Sequence, residues 1–416
     1  MNATRLPALL LLACLAAHAA TAATPPVRTG IEVLRDRGFD LLRGKRVGLV
    51  TNATAVDRGL QATLDILHRA PSVRLTAVFG PEHGARGEFA AGDKVENYTD
   101  ARTGLPVYSL YGRIRKPTAA MLENVDVLVY DIQDIGVRSY TYIATMGQAM
   151  EAAAEKGIPF VVLDRPNPLG GRRIEGNLVE PGFTSFVSPF PVPYVYGLTC
   201  GELAQMINGE GWLGGGVRCS LTVVRLEGWT RGMMFEETGL PWVPTSPHVP
   251  SVESPRFYVA TGVLGELGVI SEGVGFTIPF QVFAAEWIDA ARLRDTLAAM
   301  RIPGVNFRPV TFKPFYGRSE GTTLHGVQIY FTDPAAADLL GVQFRLLEAH
   351  HRLYPDKDPF AMAEKSRIGM FDRVAGTDRI RKLFQKAFRY EDIRGELQKD
   401  VAPFRARSAR YRLYAN

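Results

Sequence analysis

The sequence predicts an α/β protein in which a Rossmann-like, doubly wound parallel sheet is followed by a smaller α+β domain. Short, continuously apolar segments alternate with segments of helical periodicity through the first half of the 416-residue chain. Strands that helices cover on both faces have this uninterrupted apolar character. The alternation loosens beyond about residue 167 and the elements become mixed after residue 250. We therefore expect domains at 27–250 and 251–416.

The predicted strands and helices of the first domain follow one another along the chain. Apolar runs predict strands in KRVGLVTN, VRLTAVFG, DVLVYDIQD and IPFVVLDRPN, with a short run in LPVYSLYG and a later strand in CSLTVVRLEGW. Helical spacing predicts helices in GLQATLDILHRA, YIATMGQAMEAAAEKG and TCGELAQMINGEG. Gly157 closes the second of these helices, and Pro117 near a first turn favours another helix in KPTAAMLENV.

A proline-rich segment, GLPWVPTSPHVPSVESP, separates the two halves of the chain. Its composition predicts irregular structure, and we interpret it as a domain boundary or as a loop along a cleft. A glycine-rich stretch at 261–276 follows. The remaining sequence predicts a helix in DAARLRDTLAAM, a strand in GVQIYFTD and helices to the C-terminus. This mixture indicates the smaller α+β domain.

The first 23 residues have the pattern of a secretory signal peptide. An arginine precedes an apolar run at 6–17, and small residues follow, so we expect cleavage after Ala19 or Ala23. The apolar run is too short to span a membrane. We therefore expect an exported protein, either periplasmic or secreted. Lipidation of Cys14 is the alternative at this end of the chain.

The charge of the chain bears on nucleic-acid binding, and its cysteine content bears on disulfide formation. The chain has 48 Lys and Arg against 43 Asp and Glu, a net charge of +5 without a long basic run. This small excess argues against a nucleic-acid partner. After processing, Cys200 and Cys219 remain, and in an oxidising compartment they could form a disulfide. Two buried free thiols are the equal alternative.

Polar residues follow four of the predicted strands at the point where each strand ends. Ligands of open α/β sheets bind outside the carboxyl ends of the strands, so these residues are candidates for one site. In chain order they are Asn52; then Glu82, His83 and Arg86; then Asp131, Gln133 and Asp134, with Arg138 and Tyr140 close behind; and finally Asp164, Arg165 and Asn167. For any one of them, a helix cap or a turn is the plainer interpretation.

Several enzyme classes lack their motifs in this sequence. No G-x-G-x-x-G follows the first strand, and there is neither a Walker loop nor a G-x-S-x-G elbow between a predicted strand and helix. A metal site from His83, Asp131 and Asp134 is an alternative without paired histidines to support it. We expect no cofactor and no metal. Carboxylate acid–base chemistry on a neutral or polyhydroxylated substrate remains, with arginine available for a substrate carboxylate.

Five ordered segments resemble the DUF1343 or NamZ family of exo-β-N-acetylmuramidases. They are GPEHGARG, VDVLVYDIQDIGVRSYTY, VVLDRPNPLGG, EGNLVEPGF and SEGVGFTIPF, and the resemblance extends from about residue 30 to the C-terminus. It implies release of N-acetylmuramic acid from the non-reducing end of peptidoglycan fragments, which are the implied partner. It also implies a site in the cleft between a Rossmann-like domain and a smaller C-terminal domain.

Glycosidase chemistry and this resemblance together suggest roles for the candidate residues. Glycosidases usually need two carboxyl groups. We assign Glu82 as the general acid/base and rank Glu272 first as its partner, ahead of Asp131 and Asp134. Attack by the substrate's own acetamido group is the alternative. Substrate binding is assigned to Asn52, His83, Arg86, Gln133, Arg138, Tyr140, Asp164, Arg165, Asn167 and His248.

Arg138 or Arg165 is expected to hold the lactyl carboxylate of N-acetylmuramic acid, because an arginine fork matches a carboxylate in two hydrogen bonds. Internal pairing with Asp131 or Asp134 is the alternative for Arg138 and Tyr140. The chain departs from the family pattern at Val274, Phe276 and His248, where arginine, threonine and asparagine are usual. Two alternatives therefore stay open: a non-catalytic peptidoglycan-binding protein, and a secreted hexosaminidase of different sugar specificity.

Overall fold

Two β-sheets organise the protein in the computed structural model, which describes residues 26–90, 93 and 95–416. The predicted signal peptide and Cys14 lie outside the described residues. One sheet has seven strands and the other has three. The predicted α/β class with a second, smaller domain is confirmed.

The large sheet belongs to the first domain and has the order β3-β4-β2-β1-β5-β6-β7. Its strands are β1 (Arg46–Thr51), β2 (Arg74–Gly80), β3 (Tyr98–Thr99), β4 (Pro106–Ser109), β5 (Val127–Asp131), β6 (Phe160–Leu163) and β7 (Leu221–Val224). All neighbours pair in parallel except β3 and β4. Because the chain leaves β1 first toward β2 and later returns to β5 on the other side, a crevice forms at the carboxyl ends of these strands.

Helices cover both faces of the large sheet. They are α1 (Gly30–Asp36), α2 (Thr63–Arg69), α3 (Tyr142–Lys156) and α4 (Cys200–Glu210), with 3₁₀ turns at Gly214–Gly216 and Phe235–Thr238. Along β1, Val47 and Leu49 pack into one apolar cluster, whereas Val50 packs into the other. This alternation buries both faces and explains the continuous apolar runs. Gly157 ends α3 with a left-handed φ of 72°, as predicted.

The helix predicted in KPTAAMLENV is wrong, because the structure has consecutive turns there. The amide of Leu122 donates to the carbonyls of Thr118 and Ala119, both at 3.2 Å, and the amide of Val125 donates to Leu122 at 3.0 Å. One helical turn fixes three residues for a single hydrogen bond, so a segment this short depends on packing. Here Leu122 and Val125 already pack into the core from a turn.

The second domain contains the small antiparallel sheet and the remaining helices. Its strands, in the order β8-β10-β9, are β8 (Val282–Ala285), β9 (Val305–Phe312) and β10 (Leu324–Phe331). Its helices are α5 (Ser254–Gly265), α6 (Ala290–Ala299), α7 (Leu339–Leu353), α8 (Pro359–Met362), α9 (Lys365–Ala375), α10 (Arg379–Phe384), α11 (Tyr390–Gln398) and α12 (Val401–Ser408), followed by a 3₁₀ turn at Ala409–Tyr411. As predicted, DAARLRDTLAAM forms a helix, which Asp289 caps at its N-terminus.

The two domains share one apolar core and several polar contacts. A single cluster runs from β5 and α3 through α5, α7 and α9. Near the end of the chain, the Tyr414 hydroxyl returns to the first domain and donates to Asp164 at 2.5 Å. The domain boundary near residue 250 stays a prediction, although α5, the first helix of the second domain, begins at Ser254.

Two further expectations concern the pairing of the two cysteines and the presence of a membrane-spanning helix. Cys200 and Cys219 are both free, buried thiols in the structure. Burial raises the pKa of the Cys219 thiol to about 11, so it stays protonated near neutral pH. Within the described part of the chain, no helix combines the length and the apolar character needed to cross a membrane.

Candidate active site

A cavity of about 760 Å³ lies between the two domains, beyond the carboxyl ends of β2, β4 and β5. Small-molecule sites usually measure about 300–1,000 Å³. The lining residues are Glu82 and His83 after β2; Tyr111 and Arg115 after β4; 139–142 after β5; 184–187; Ser246, His248 and Val249; and Tyr258, Glu266, Phe280, Met370 and Arg373. The proline-rich segment therefore does run along a cleft, as one of its two interpretations predicted.

Glu82 is half-buried on this cavity and faces several aromatic side chains. Burial, together with the charge of Glu82 and a hydrogen bond to it, raises the pKa of Tyr111 to about 12. The Glu82 charge also acts on the hydroxyls of Tyr142 and Tyr258 and on the ring of His248. The carboxylate therefore lies among neutral hydrogen-bond donors at neutral pH.

His83 has an unusual backbone that fixes the loop after β2. Its φ is 73°, in the left-handed region that non-glycine residues rarely adopt, and Gly84 follows with a φ of 78°. The Nδ1 atom lies 3.0 Å from the carbonyl oxygen of Phe89. Because a carbonyl oxygen only accepts, Nδ1 of His83 carries a proton and donates it to Phe89. The loop thereby holds Glu82 and His83 side by side on the cavity.

Three tyrosines form one wall of the cavity. The Tyr140 hydroxyl lies 2.7 Å from Oγ1 of Thr245, and the Tyr142 hydroxyl donates to the Thr245 carbonyl at 2.5 Å. From α5, Tyr258 packs edge-on against Tyr140 with ring centroids 5.7 Å apart. Burial raises the pKa of all three hydroxyls. The wall therefore offers aromatic faces and protonated hydroxyls, which suit a polyhydroxylated ligand.

The cavity also has two arginines and a second carboxyl group. The guanidinium carbon of Arg115 lies 4.2 Å from the ring centroid of Phe186, and both Arg115 and Arg373 are exposed. These two cations suit an anionic group on a ligand. Glu266 lies on the cavity at the C-terminal end of α5, and its burial raises the pKa of its carboxyl. Nearby negative charge from Glu272 raises this pKa further.

Of the residues predicted from the sequence, the structure brings Glu82, His83, Tyr140 and His248 together on the cavity. The His248 Nε2 lies 2.9 Å from the Tyr316 hydroxyl, and burial lowers the pKa of the imidazole. The neutral ring is therefore favoured near neutral pH. The other predicted site residues do not line the cavity, and each has partners within the protein.

Asp131 and Arg165 form a buried ion pair with each other. Their side chains are only 1% and 5% exposed. Asp131 also accepts from Thr63 Oγ1 at 2.6 Å, and Arg165 donates to the carbonyl of Val56 at 3.0 Å. Since a buried ion pair needs both of its members, this geometry does not support Asp131 as a catalytic carboxylate or Arg165 as the holder of the lactyl carboxylate.

Asp134 and Asp164 are also buried away from the cavity. Asp134 accepts from the amide of Gly136 at 2.7 Å and from the hydroxyl of Tyr196. Asp164 accepts from the amide of Gly201 at 2.8 Å, near the start of α4. Burial raises the pKa of each carboxyl to about 6. Both act as acceptors within the fold, and the geometry supports neither as a substrate contact.

Arg138 connects the two domains instead of facing the cavity. Its guanidinium donates to the carbonyls of Asn177 at 2.7 Å and Val192 at 2.8 Å in the first domain, and of Val374 at 2.9 Å in α9. The residue is fully buried, and burial lowers its pKa to about 10. It therefore pairs internally, but with backbone carbonyls and not with the aspartates named in the alternative. Its predicted role in holding a substrate carboxylate is not supported.

Arg86 and Glu272 each have an ionic partner outside the cavity lining. Arg86 donates to Asp100 at 2.5 Å and to Asp65 at 2.9 Å, and these bonds brace the loop after β2. Glu272 is buried and pairs with Arg318 at 3.1 Å. Burial raises the pKa of Glu272. The predicted catalytic role of Glu272 stays a prediction that the geometry does not favour.

The three predicted amide residues lie outside the cavity lining and form hydrogen bonds within the protein. Gln133 donates to two backbone carbonyls at 2.8 Å, and Asn167 donates to one at 2.9 Å. Asn52 forms a hydrogen bond with the Tyr142 hydroxyl, which lies on the cavity. Asn52 thus positions a cavity residue, whereas Gln133 and Asn167 order the strand-end turns.

The sequence interpretation missed Tyr111, Arg115, Tyr258, Glu266 and Arg373. Tyr111 carried a usable signal, because it follows the short run LPVYSLYG and the same strand-end argument applies to it. Arg115 comes four positions later. The remaining three lie on α5, α9 or directly beside them, where a polar residue of a surface helix gives no sign that the helix faces a cleft.

The structure offers no support for metal or serine-hydrolase chemistry at this cavity. In the described ranges, no three His, Cys, Asp or Glu side chains are grouped so that they could hold a metal ion. The letters G-x-S-x-G occur at 317–321, but that segment connects the antiparallel strands β9 and β10. A nucleophile elbow lies between a strand and a helix.

Comparison with known proteins confirms the resemblance seen in the sequence. The family described as exo-β-N-acetylmuramidase NamZ matches with its N-terminal domain at residues 47–253 and its C-terminal domain at 256–414. The peptidoglycan β-N-acetylmuramidase NamZ of Bacillus subtilis (strain 168) is 45% identical over 394 residues, which cover 95% of this chain and 93% of that protein.

Two crystal structures of DUF1343 family proteins from Bacteroides fragilis are also similar. One has a TM-score of 0.90 at 54% identity, and the other has a TM-score of 0.74 at 29% identity. Each comparison covers 94% of this chain and 99% of the other. With a two-domain match along nearly its whole described length, the chain belongs to the exo-β-N-acetylmuramidase NamZ family.

Proposed function

We propose that this protein is an exo-acting glycoside hydrolase that releases N-acetylmuramic acid from the non-reducing end of peptidoglycan fragments. Family membership supports the reaction class. The observation that carries the proposal is the cavity itself, where a half-buried carboxylate, Glu82, lies among tyrosine hydroxyls and two exposed arginines. This set matches a sugar that bears both hydroxyl groups and a carboxylate.

Glu82 is the proposed general acid/base. Its hydrogen bond with Tyr111 orients the carboxyl group, and the left-handed turn at His83 fixes the backbone beside it. A positioned acid protonates the glycosidic oxygen as the bond to the leaving sugar breaks. The neighbouring tyrosines stay protonated, because their pKa values are raised, and so do not compete for that proton.

Glu266 replaces Glu272 as the proposed second carboxyl group. Glu266 lies on the cavity, whereas Glu272 pairs with Arg318. Because burial raises the pKa of Glu266, its carboxyl group can exchange a proton closer to neutral pH than an exposed one. In the alternative mechanism the substrate's acetamido oxygen attacks the anomeric carbon, and Glu266 supports the acetamide.

Arg115 and Arg373 are the proposed partners of the lactyl carboxylate, in place of Arg138 and Arg165. Both are exposed on the cavity, and the Arg115 guanidinium is held over Phe186. A charge-assisted hydrogen bond contributes roughly 1.5–3 kcal/mol. At a tenfold change per ~1.4 kcal/mol, this predicts a preference of about ten- to a hundredfold for N-acetylmuramic acid over N-acetylglucosamine.

The test compares kcat/KM for para-nitrophenyl glycosides of the two sugars. We expect the wild type to prefer the muramide at least about tenfold, and Arg115→Gln or Arg373→Gln to reduce that preference. Arg292→Gln, which changes an exposed arginine on α6, is the control and should keep it. No turnover of either glycoside would reject the hydrolase, and equal turnover of both would favour a broader hexosaminidase.

We also propose that the protein is exported to the periplasm or secreted. The support is the N-terminal sequence alone, since residues 1–25 lie outside the described residues. The exported protein should begin at Ala20 or Thr24, which N-terminal sequencing would establish. An exported chain that retained Met1 would contradict cleavage.

A further inference from the structure

We propose that His248, Tyr316 and Phe315 form a subsite that holds the leaving-group sugar of the substrate. This set is called the aromatic rim below. The proposal rests on the proposed function, because it assumes that a sugar is cleaved at Glu82. It adds a recognition site for the part of the glycan that is not released as N-acetylmuramic acid.

The aromatic rim is a continuous strip from the cavity to solvent. His248 lines the cavity, and its ring stacks on Tyr316 with centroids 6.0 Å apart and planes inclined by 11°. Phe315 comes next, with its centroid 5.3 Å from that of Tyr316. Tyr316 is 39% exposed and Phe315 is 59% exposed. Aromatic surface left in water beside a binding cavity indicates a binding surface.

The segment that carries Tyr316 and Phe315 is held in place before any ligand arrives. The amide of Phe315 donates to the carbonyl of Gly275 at 2.9 Å, and the amide of Gly321 donates to Pro314 at 2.9 Å. The Phe315 ring also packs against Phe276, with centroids 6.0 Å apart. Little conformational freedom is therefore lost when a ligand binds, which favours binding.

The position of Glu82 tells which sugar the aromatic rim contacts. A general acid must lie within about 2.6–3.2 Å of the glycosidic oxygen, which joins the released sugar to the leaving sugar. The imidazole of His248 is close enough to Glu82 to respond to its charge, and from there the rim runs outward. The released sugar fills the cavity, so the sugar on the far side of the oxygen meets His248 and Tyr316.

The chemistry of the aromatic rim suits this occupant. One face of a pyranose ring presents several C–H groups, and these pack on flat aromatic surfaces. Burial lowers the pKa of His248, so its uncharged ring continues the stack. The hydrogen bond between the Tyr316 hydroxyl and Nε2 of His248 keeps the two rings aligned. The subsite therefore accepts the N-acetylglucosamine that follows N-acetylmuramic acid in a glycan strand.

The test uses two substrates that differ only in the leaving group. One is the disaccharide N-acetylmuramyl-β-1,4-N-acetylglucosamine, and the other is methyl N-acetyl-β-muramide, which lacks the second sugar. In the double variant Phe315→Ala/Tyr316→Ala, we expect kcat/KM for the disaccharide to fall about tenfold. The methyl glycoside should change less than about twofold.

Two control variants separate the stacking surface from other effects. Tyr316→Phe keeps the ring but loses the hydrogen bond to His248, so its loss on the disaccharide should be smaller than that of the double variant. Tyr330→Ala removes another exposed tyrosine, 44% exposed on β10, and should change neither substrate. An equal loss on both substrates in the double variant, or no loss on either, would overturn the subsite while leaving the proposed function intact. Failure of the wild type to cleave either substrate would overturn both.

Discussion

Two groups of polar side chains lie at the same edge of the large sheet, but one group is buried and the other faces the cavity. One group, the strand-end cluster of Asp131, Asp134, Asp164, Arg138 and Arg165, is buried. The other group lines the cavity and includes Glu82, which is half-buried, and Arg115, which is exposed. Position at the carboxyl end of a parallel strand is common to both groups. What separates them is burial: contacts within the protein enclose the strand-end cluster, whereas the second group faces the cavity.

The energetic cost of burial explains this difference. A charge removed from water is costly unless a partner compensates it. In the strand-end cluster, Arg165 neutralises Asp131, and backbone carbonyls accept from the two terminal nitrogens of Arg138. On the cavity, water or a substrate can solvate the charged groups. A polar residue at a strand end is therefore a candidate for chemistry only where the fold leaves one side of it open.

The strongest way to test this comparison is to change Glu82. Glu82→Gln keeps the shape of the side chain but removes the proton donor, so we expect kcat to fall by about 10²–10⁴. The melting temperature should change little, because Glu82 is half-buried on a cavity wall. Release of para-nitrophenol from the muramide and thermal unfolding of the same preparation provide both measurements.

Two other carboxyl variants serve as comparisons for Glu82→Gln. Glu272→Gln removes a carboxyl group outside the cavity and should retain the wild-type turnover of the folded protein. Glu266→Gln removes the second carboxyl group on the cavity and should lower turnover. If Glu272→Gln lost activity while Glu266→Gln kept it, the assignment made from the sequence would be the better one.

The next effect concerns stability and comes from the strand-end cluster. Asp131→Asn removes one charge of a buried pair and leaves the Arg165 guanidinium uncompensated, so we expect a loss of about 3–5 kcal/mol in the free energy of unfolding. Urea denaturation of the wild type and variant measures it. The folded fraction should keep its KM for the muramide. A raised KM without lost stability would show that Asp131 contacts the substrate.

The sequence predicted the sheet and its edge better than it predicted the site. Continuous apolar runs identified β1, β2, β5 and β6, because both faces of these strands are buried. The same edge rule led to Glu82 and His83, but it could not separate them from Asp131 or Asp164. That distinction depends on contacts such as those of Thr63 and Tyr414, which are distant in the chain. Glu266 and Arg373 reach the cavity only because α5 and α9 pack across it.

The smallest expected effect is on the pH dependence of the free energy of unfolding. It distinguishes two buried carboxyl groups of the strand-end cluster, Asp134 and Asp164. The folded-state pKa of Asp134 is about 6, above the ordinary value of about 3.9. Its contribution to stability is therefore complete below about pH 4 and is lost as the pH rises through about 6. Two pKa units correspond to at most about 3 kcal/mol. Asp134→Asn cannot ionise, so its stability relative to the wild type should increase between pH 4 and 7.

Asp164 is the control for that measurement, because its pKa is also about 6 but its contacts differ. Its two oxygens accept from Gly201 on one side and from Thr199 and Tyr414 on the other. By contrast, Oδ1 of Asp134 has no hydrogen-bond partner among the described residues. An asparagine amide nitrogen placed at that atom of Asp134 breaks neither the Gly136 nor the Tyr196 hydrogen bond, whereas at either oxygen of Asp164 it opposes a donor. Asp164→Asn should therefore destabilise the protein even at pH 7, and equal curves for the two variants would show that hydrogen-bond saturation does not distinguish these carboxyls.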